Sequence, residues 1–276
     1  MSVVQWFPGH MAKAIRLIED NLKSVDFVIE CRDARAPFST RNPVLAKTVS
    51  NKKAIIILTK KDLADPEKSL EWKKRLEDEG HEVLLVDVLK DPMKRLILEK
   101  TEIIMKERYE RDKRRGIRSR ASRALIVGVP NVGKSTVINQ IGSRRAVRVE
   151  NRPGVTQALK LVKVSDTLEI VDTPGVLWPK FENQDMGIRV ALIGSIKETG
   201  FPLDVVSNYA LDTMIKKYPD TIMKRYSLNN LENVFEDIAR NKGFLESGGY
   251  LEVEKAQRLF LADVQNGNIG TVTWDS

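Results

Sequence analysis

The stretch RALIVGVPNVGKSTVINQ, residues 123–140, decides how the rest of the chain is read. Its Gly128, Gly133, Lys134 and Ser135 complete the pattern G-x-x-x-x-G-K-[ST], with a short apolar run before it and helix-forming residues after it. That context is what a phosphate-binding loop between a strand and a helix requires. Glycines let backbone N–H groups converge on phosphate oxygens, Lys134 supplies a point charge to the β and γ groups, and the Ser135 hydroxyl suits Mg2+.

Downstream, LEIVDTPGVLWP (168–179) ends an apolar run at Asp172, which can hold Mg2+ through water, and offers the Gly175 backbone N–H to a γ-phosphate. Between the two motifs lies NRPGVT (151–156), where Thr156 supplies a second hydroxyl for the metal from a γ-phosphate-sensing loop. Together the three have the pattern of a nucleotide-dependent switch. Upstream, AIIILTKKD (54–62) ends in the four residues that read guanine, with the Asp62 carboxylate accepting from the base N1–H and the amino group at C2. In a parallel sheet the loops that follow the strands emerge on one edge, so a site needs its loops in space and not in a set chain order. Cutting the usual order and rejoining its ends gives guanine reader, phosphate loop, switches, which is the order here.

At 276 residues and 42% hydrophobic the chain can bury the core of one large domain or two ordinary ones. No stretch of about eighteen apolar residues occurs, and no apolar run follows a basic N-terminal segment, so the expectation is a cytoplasmic protein that does not enter a membrane. The single cysteine, Cys31, excludes a disulfide framework and a cysteine zinc site, and it reads as a small buried hydrophobe. The net charge of +8 is unevenly spread: residues 181–276 carry −4 and residues 1–180 carry +12. Half of that excess sits in KERYERDKRRGIRSRASR (106–123), with nine basic residues, seven of them arginine, against three acidic. Such a run reads either as a solvated helix end or as a nucleic-acid contact.

DFVIECRDARAP, AIIILTKKD, EVLLVDV and RALIVGVP each hold a continuous apolar run, the pattern of strands buried on both faces. Helical patterns over 42–50, 66–79 and 92–115 alternate with them, which predicts an α/β fold with a mostly parallel sheet and helices on both faces. After residue 180 the pattern changes to four predicted helices, 185–198, 203–217, 231–241 and 250–265. The expected organisation is a nucleotide-binding domain over 1–180 and a small helical domain over 181–276.

The motif order, WFPGHM near the N-terminus, GVPNVGKSTVIN, RPGVT and DTPGVLWPK together resemble the circularly permuted GTPases of the YlqF family, also called ribosome biogenesis GTPase A. The resemblance spans essentially the whole chain. It implies a monomeric cytoplasmic GTPase that binds GTP and GDP with Mg2+ and acts late in assembly of the large ribosomal subunit, whose rRNA the helical domain contacts. It implies base contacts at Thr59, Lys60 and Asp62, with Lys61 between them, and at Asp87 and Val88. Phosphate contacts fall on Pro130, Asn131, Val132, Gly133, Lys134, Ser135, Thr136 and Gly175. Ser135, Thr156 and Asp172 become the Mg2+ ligands, and Asn131 matches a position where relatives hold K+. The family usually has Asn where this chain has Thr59, and a hydroxyl cannot replace both halves of a carboxamide.

Where many GTPases orient water with a glutamine, this chain has Val176, which neither donates nor accepts, so intrinsic hydrolysis is expected to be slow. His10 resembles the histidine proposed for that task in the family, with Lys134 as the other catalytic candidate. Two rival classes stay open on the sequence: a phosphate-loop kinase, which would not need TKKD, and a GTP-dependent RNA- or protein-binding module with a non-ribosomal target.

Overall fold

The computed structural model describes residues 9–142, 147–150, 159–178, 181 and 183–275, with only the backbone for 9–11, 147–150 and 159. The first half alternates as its apolar runs predict: α1 (Gly9–Leu22), β1 (Phe27–Asp33), α2 (Pro43–Thr48), β2 (Ala54–Thr59), α3 (Pro66–Asp78), β3 (Glu82–Leu85) and α4 (Met93–Arg114). Then come β4 (Ser122–Val127), α5 (Lys134–Ile141), β5 (Val147–Glu150), β6 (Leu159–Lys163) and β7 (Leu168–Asp172). Five helices follow: α6 (Gln184–Leu192), α7 (Leu203–Lys217), α8 (Pro219–Tyr226), α9 (Val234–Lys242) and α10 (Val253–Asn266).

The strands form one seven-stranded sheet in the order β3-β2-β1-β4-β7-β6-β5. The run from β3 to β7 is parallel, while β6 and β5 add antiparallel pairings at one edge. Alternate residues supply opposite faces. Ile29, Ile57 and Ile126 pack with Ile97 of α4 and Val137 of α5, whereas Val28, Leu125 and Val171 pack with Ile18 of α1 and Leu45 of α2. The first cluster continues without a break into the later helices through Val190, Met214, Phe260 and Trp274. Because both faces are covered, the inner strands carry continuous apolar runs and not an alternating pattern, and where β1 does place charges, Glu30 and Arg32, they are buried as a pair.

Local chemistry sets the helix ends. Asn42 and Asp65 cap α2 and α3, each accepting from two backbone N–H groups, with proline at the first helical position where its missing N–H costs nothing. The structure departs from the sequence reading in three places. Residues 185–198 are not one helix, because Gly194 takes φ +78° and ends α6. The YPD sequence, read as punctuation, instead starts α8 with Pro219 at its first position, giving five helices where four were expected. The β5–β6 pair was not anticipated, because LKLVK is short and mixes apolar and basic residues without a clean alternation, although it pairs with β7 on one side and β5 on the other.

Asp26 sets where β1 starts relative to β4. Its backbone N–H donates to Arg123 O at 2.7 Å, and its carboxylate accepts from Arg123 N at 2.8 Å and from Arg120 Nη1 and Nη2 at 2.9 and 2.8 Å. Arg108 Nη1 lies 2.8 Å away as well. Burial pushes this carboxyl up, but the Arg120 hydrogen bond, the Arg123 N–H and the two guanidinium charges outweigh it and hold the pKa below the usual range. Asp26→Ala removes the acceptor of the Arg123 N–H and the carboxylate shared by Arg108 and Arg120, which keep weaker partners at Asp112 and Ala121 O, and is expected to cost about 1–3 kcal/mol in urea unfolding. A loss under about 0.5 kcal/mol, the size of an ordinary surface change, would contradict this role.

Candidate nucleotide-binding site

Register brings the motifs together. Asp33 at the end of β1 pairs with Thr59 at the end of β2, and Ile126 near the end of β4 pairs with Asp172 at the end of β7. The loops after these four strands therefore leave the sheet on one edge, and the phosphate loop and TKKD meet there despite their chain order.

The phosphate loop is shaped by backbone that only some residues tolerate. Gly128 takes φ +150°, and a Cβ there would lie 2.4 Å from Cys31 O, so the close passage of β1 demands glycine. Gly133, at φ +93°, opens α5. Lys134 is buried and curls back over the loop, donating from Nζ to Gly128 O at 3.0 Å and Val129 O at 2.8 Å. Burial lowers its pKa, against the opposing pull of Cys31 and Asp172. A cleft of about 620 Å³ is lined by Lys134, Ser135, Asp172, Gly175, Asn131 and Pro130, with Leu17, Lys160, Thr173 and Pro174 completing it. Burial raises the Asp172 carboxyl, opposed by Lys134, Lys160 and the Thr173 backbone N–H. The Ser135 hydroxyl and the Asp172 carboxylate share this cleft, a hard oxygen pair that fits Mg2+ shared with phosphate oxygens.

Gly175 lies against the phosphate loop so closely that a Cβ would come within 2.9 Å of Pro130 backbone atoms. Val176 donates its N–H to Gly128 O at 3.2 Å, and its side chain is buried among Leu125, Val127 and Val171, away from the cleft. It cannot orient a water there.

The guanine loop is tied to the phosphate loop. Thr59 is fully buried, and its hydroxyl lies 2.6 Å from Val132 O and 3.1 Å from Arg32 O, so it bridges the two loops. Lys60, at φ +57°, donates from Nζ to Asn131 O at 2.8 Å. Lys61 pairs with Asp91 at 2.5 Å. Asp62 is exposed, and its carboxylate makes no hydrogen bond or ion pair among the described residues. Asp87 and Val88 adjoin this loop, where the Asp87 carboxylate accepts from Leu89 N at 3.0 Å and pairs with Lys90, and Val88 is buried. The Asn131 amide donates to Gly194 O at 2.6 Å, and Ser195 Oγ donates to Pro130 O at 2.6 Å, so the end of α6 rests on the phosphate loop. Thr136 is half-buried in the first turn of α5. Thr156 lies outside the described residues, as does the side chain of His10, whose backbone is in the first turn of α1.

A family model described as a 50S ribosome-binding GTPase matches residues 123–233. The chain is 40% identical to ribosome biogenesis GTPase A of Bacillus cereus, over 99% of this chain and 94% of that protein. It is 32% identical to the protein of the same name from Thermotoga maritima, again over 99% and 94%. The chain belongs to the ribosome biogenesis GTPase A family. Among solved structures, a GDP-bound YlqF matches with a TM-score of 0.70 at 29% identity, covering 94% of this chain and 98% of that one. A GNP-bound YlqF from T. maritima matches at 0.69, covering 95% and 97%. As a member of the ribosome biogenesis GTPase A family, the chain is a GTP-binding protein and a GTPase, with its fold permuted as the motif order requires.

Sequence reasoning passed over the residues beneath this ribosome biogenesis GTPase A site. Asp33, fully buried, accepts from Arg35 N, Nε and Nη2 at 3.0, 3.0 and 2.9 Å, and pairs with Lys60 Nζ at 3.0 Å. Arg35 also donates to Gln265 O at 2.8 Å and Ile193 O at 3.4 Å. Residues 272–275 then strap the same loops: Val272 N donates to Leu63 O, Trp274 N to Arg35 O, and the Asp275 carboxylate accepts from Phe38 N, Ser39 N and Ser39 Oγ. The available signal was D-A-R directly after an apolar strand, at the edge where TKKD and the phosphate loop also emerge.

Burial pushes the Asp33 carboxyl up, but Arg35 and Lys60 outweigh it and bring its pKa to about 2. A depressed carboxylate stabilises the fold fully above its unfolded value, near 4, and that contribution is lost as pH falls through the folded value. Unfolding free energy is therefore expected to drop by on the order of 2 kcal/mol between about pH 4 and pH 2, a slope that Asp33→Asn removes. The variant should also lose about 3–5 kcal/mol near neutral pH, because two cations lose their partner. Urea titrations at several pH values read both effects, and parallel curves for the two proteins would rule the assignment out.

Proposed function

We propose that this GTPase is a switch in assembly of the large ribosomal subunit, with a nucleotide-binding domain over 1–180 whose state sets the position of a helical domain over 181–276. What carries the reading is the exposed Asp62 carboxylate, which makes no hydrogen bond or ion pair among the described residues, on a loop bridged to the phosphate loop by Thr59 and Lys60. Asp62 reads the base edge, while Lys60 and Lys61 hold its loop against Asn131 and Asp91. Lys134 and the N–H groups of 131–136 take the phosphates, and the ammonium exchanges its two carbonyl partners for phosphate oxygens. Asp87 and Val88 flank the base, and Thr59 contributes through the loop it anchors.

Ser135 and Asp172, with Thr156, would hold Mg2+, which would neutralise charge on the β and γ phosphates. Asn131 would hold K+, which would supply the charge that an arginine finger brings elsewhere. His10 stands in for the water-orienting group that the inward-facing Val176 cannot provide. Hydrolysis by the isolated chain is slow, and the subunit stimulates it. The protein acts as a monomer in the cytoplasm, in keeping with relatives named for ribosome biogenesis. No helix among the described residues is long and apolar enough to cross a membrane.

Movement of the segment after Asp172 passes into α6, which rests on the phosphate loop through Gly194 and Ser195. Co-sedimentation with large ribosomal subunits is expected to be stronger with a GTP analogue than with GDP, and equal or absent binding in both states would refute the switch. Asp62→Asn is expected to weaken GTP binding about 10⁴-fold, since the wrong pairing leaves polar groups unmatched. It should admit xanthosine triphosphate, whose C2 oxygen accepts from the new amide. Equal GTP affinity in variant and wild type, with no gain for the xanthine nucleotide, would show that Asp62 does not read the base.

A further inference from the structure

The nine basic residues of 106–123 divide into two groups in the fold. Three are structural: Arg108 and Arg120 pair with Asp26, each at 2.8 Å, and Arg123 pairs with Glu169 at 3.0 Å. The other six, Lys106, Arg111, Lys113, Arg114, Arg115 and Arg118, are exposed and make no side-chain hydrogen bond or ion pair among the described residues. Of the acids in the same run, Glu107 pairs with Lys53 at 3.0 Å, and Asp112 accepts from Ser119 at 2.9 Å. Glu110 makes no ion pair among the described residues, while Glu107 and Asp166 also feel the charges of Arg111 and Arg118.

The chain folds these cations together. Gly116, at φ +66°, turns back from the end of α4, and Ile117 N donates to Asp112 O at 3.0 Å, so the returning segment lies along the last helical turn. Cations in the last turn gain a few tenths of a kcal/mol from the helix dipole, which accounts for Arg111, Lys113 and Arg114. It does not account for Lys106 two turns earlier, nor for Arg115 and Arg118 beyond the helix. A knob of six cations with fewer acids in reach, Glu110, Glu107 and Asp166, is complementary to an external polyanion. Four of the six are arginines, whose planar forks match phosphate. A lipid surface fits less well, because Met93, Ile97, Ile104 and Met105 of α4 are buried against the sheet and the isolated exposed Ile103 and Ile117 do not form an apolar face.

We propose that this knob, residues 106–118, is an RNA-docking surface that grips the sugar-phosphate backbone, a role that rests on the ribosomal reading above and locates it away from the helical segment. The helical segment, at −4, is the less suited of the two. The knob leads into the start of β4 at Ser122, whereas the nucleotide loop leaves the other end of that strand at Gly128. RNA held there leaves the guanine nucleotide free to exchange and hydrolyse.

The test uses the full chain and a short fluorescent RNA hairpin, with anisotropy measured over a range of KCl concentrations. Combined Arg111→Gln, Arg114→Gln, Arg115→Gln and Arg118→Gln is expected to raise Kd about tenfold or more at physiological salt. The slope of log K against log salt should fall by roughly 0.7–0.9 for each phosphate that the variant no longer neutralises. The matching set of lysine substitutions should keep most of that slope, and GDP affinity should be unchanged in both. An unchanged Kd and slope overturns the proposal, as does a variant that loses binding to phosphatidylserine vesicles while keeping RNA. If the wild-type chain co-sediments with large subunits and the glutamine variant does so equally, the surface assignment fails and the ribosomal reading stands. If the wild-type chain binds neither the hairpin nor the subunit, both fail.

Discussion

A carboxylate with no exposure to solvent, Asp33, holds the nucleotide edge of this protein together. An ionised carboxylate cannot stay buried without partners, so Arg35 and Lys60 must remain within hydrogen-bond reach of it. Each partner has a second engagement. Lys60 reaches Asn131 O in the phosphate loop, and Arg35 reaches the carbonyls of Ile193 and Gln265, at the C-terminal ends of α6 and α10. Helix C-termini present unpaired carbonyls and partial negative charge, so a guanidinium there is favourable twice over. One buried charge thus fixes the base loop, the phosphate loop and the helical segment relative to each other.

The same arrangement connects the phosphate loop to the helices. The phosphate loop is contacted on its outer side by Gly194 and Ser195, and on its inner side Lys134 occupies the carbonyls of Gly128 and Val129. A ligand that drew the ammonium away would act on the same loop on which the helical segment rests. The residues after Asp172 run directly into that segment, with Val176 N bonded to Gly128 O and Asn42 Nδ2 donating to Val176 O. Permutation of the chain is what makes this path short, because the last switch motif is followed at once by the helices.

Thr59 shows how a departure from a family pattern is absorbed. A hydroxyl offers one donor where a carboxamide offers two donors and an acceptor. Here that donor is directed between Val132 O and Arg32 O, the part of the task that joins the loops. Asp62, three residues on, keeps a carboxylate that makes no hydrogen bond or ion pair among the described residues.

The sequence by itself determined the strands of the parallel sheet, because runs such as AIIIL and ALIV are apolar at every position and suit only strands covered on both faces. It determined the phosphate loop, since the glycine spacing and the Lys-Ser pair have one mechanical use between a strand and a helix. It could not show the role of Asp33, Arg35 or Asp275, because a buried ion network is defined by partners up to 237 residues apart, such as Phe38 and Asp275. Nor could it divide the basic run, where Arg108 and Arg120 look the same as Arg111 and Arg114 until Asp26 selects the first two. Local pattern records what each segment must bury or bend around; which charges find partners, and which are left for a ligand, depends on distances that only the folded chain creates.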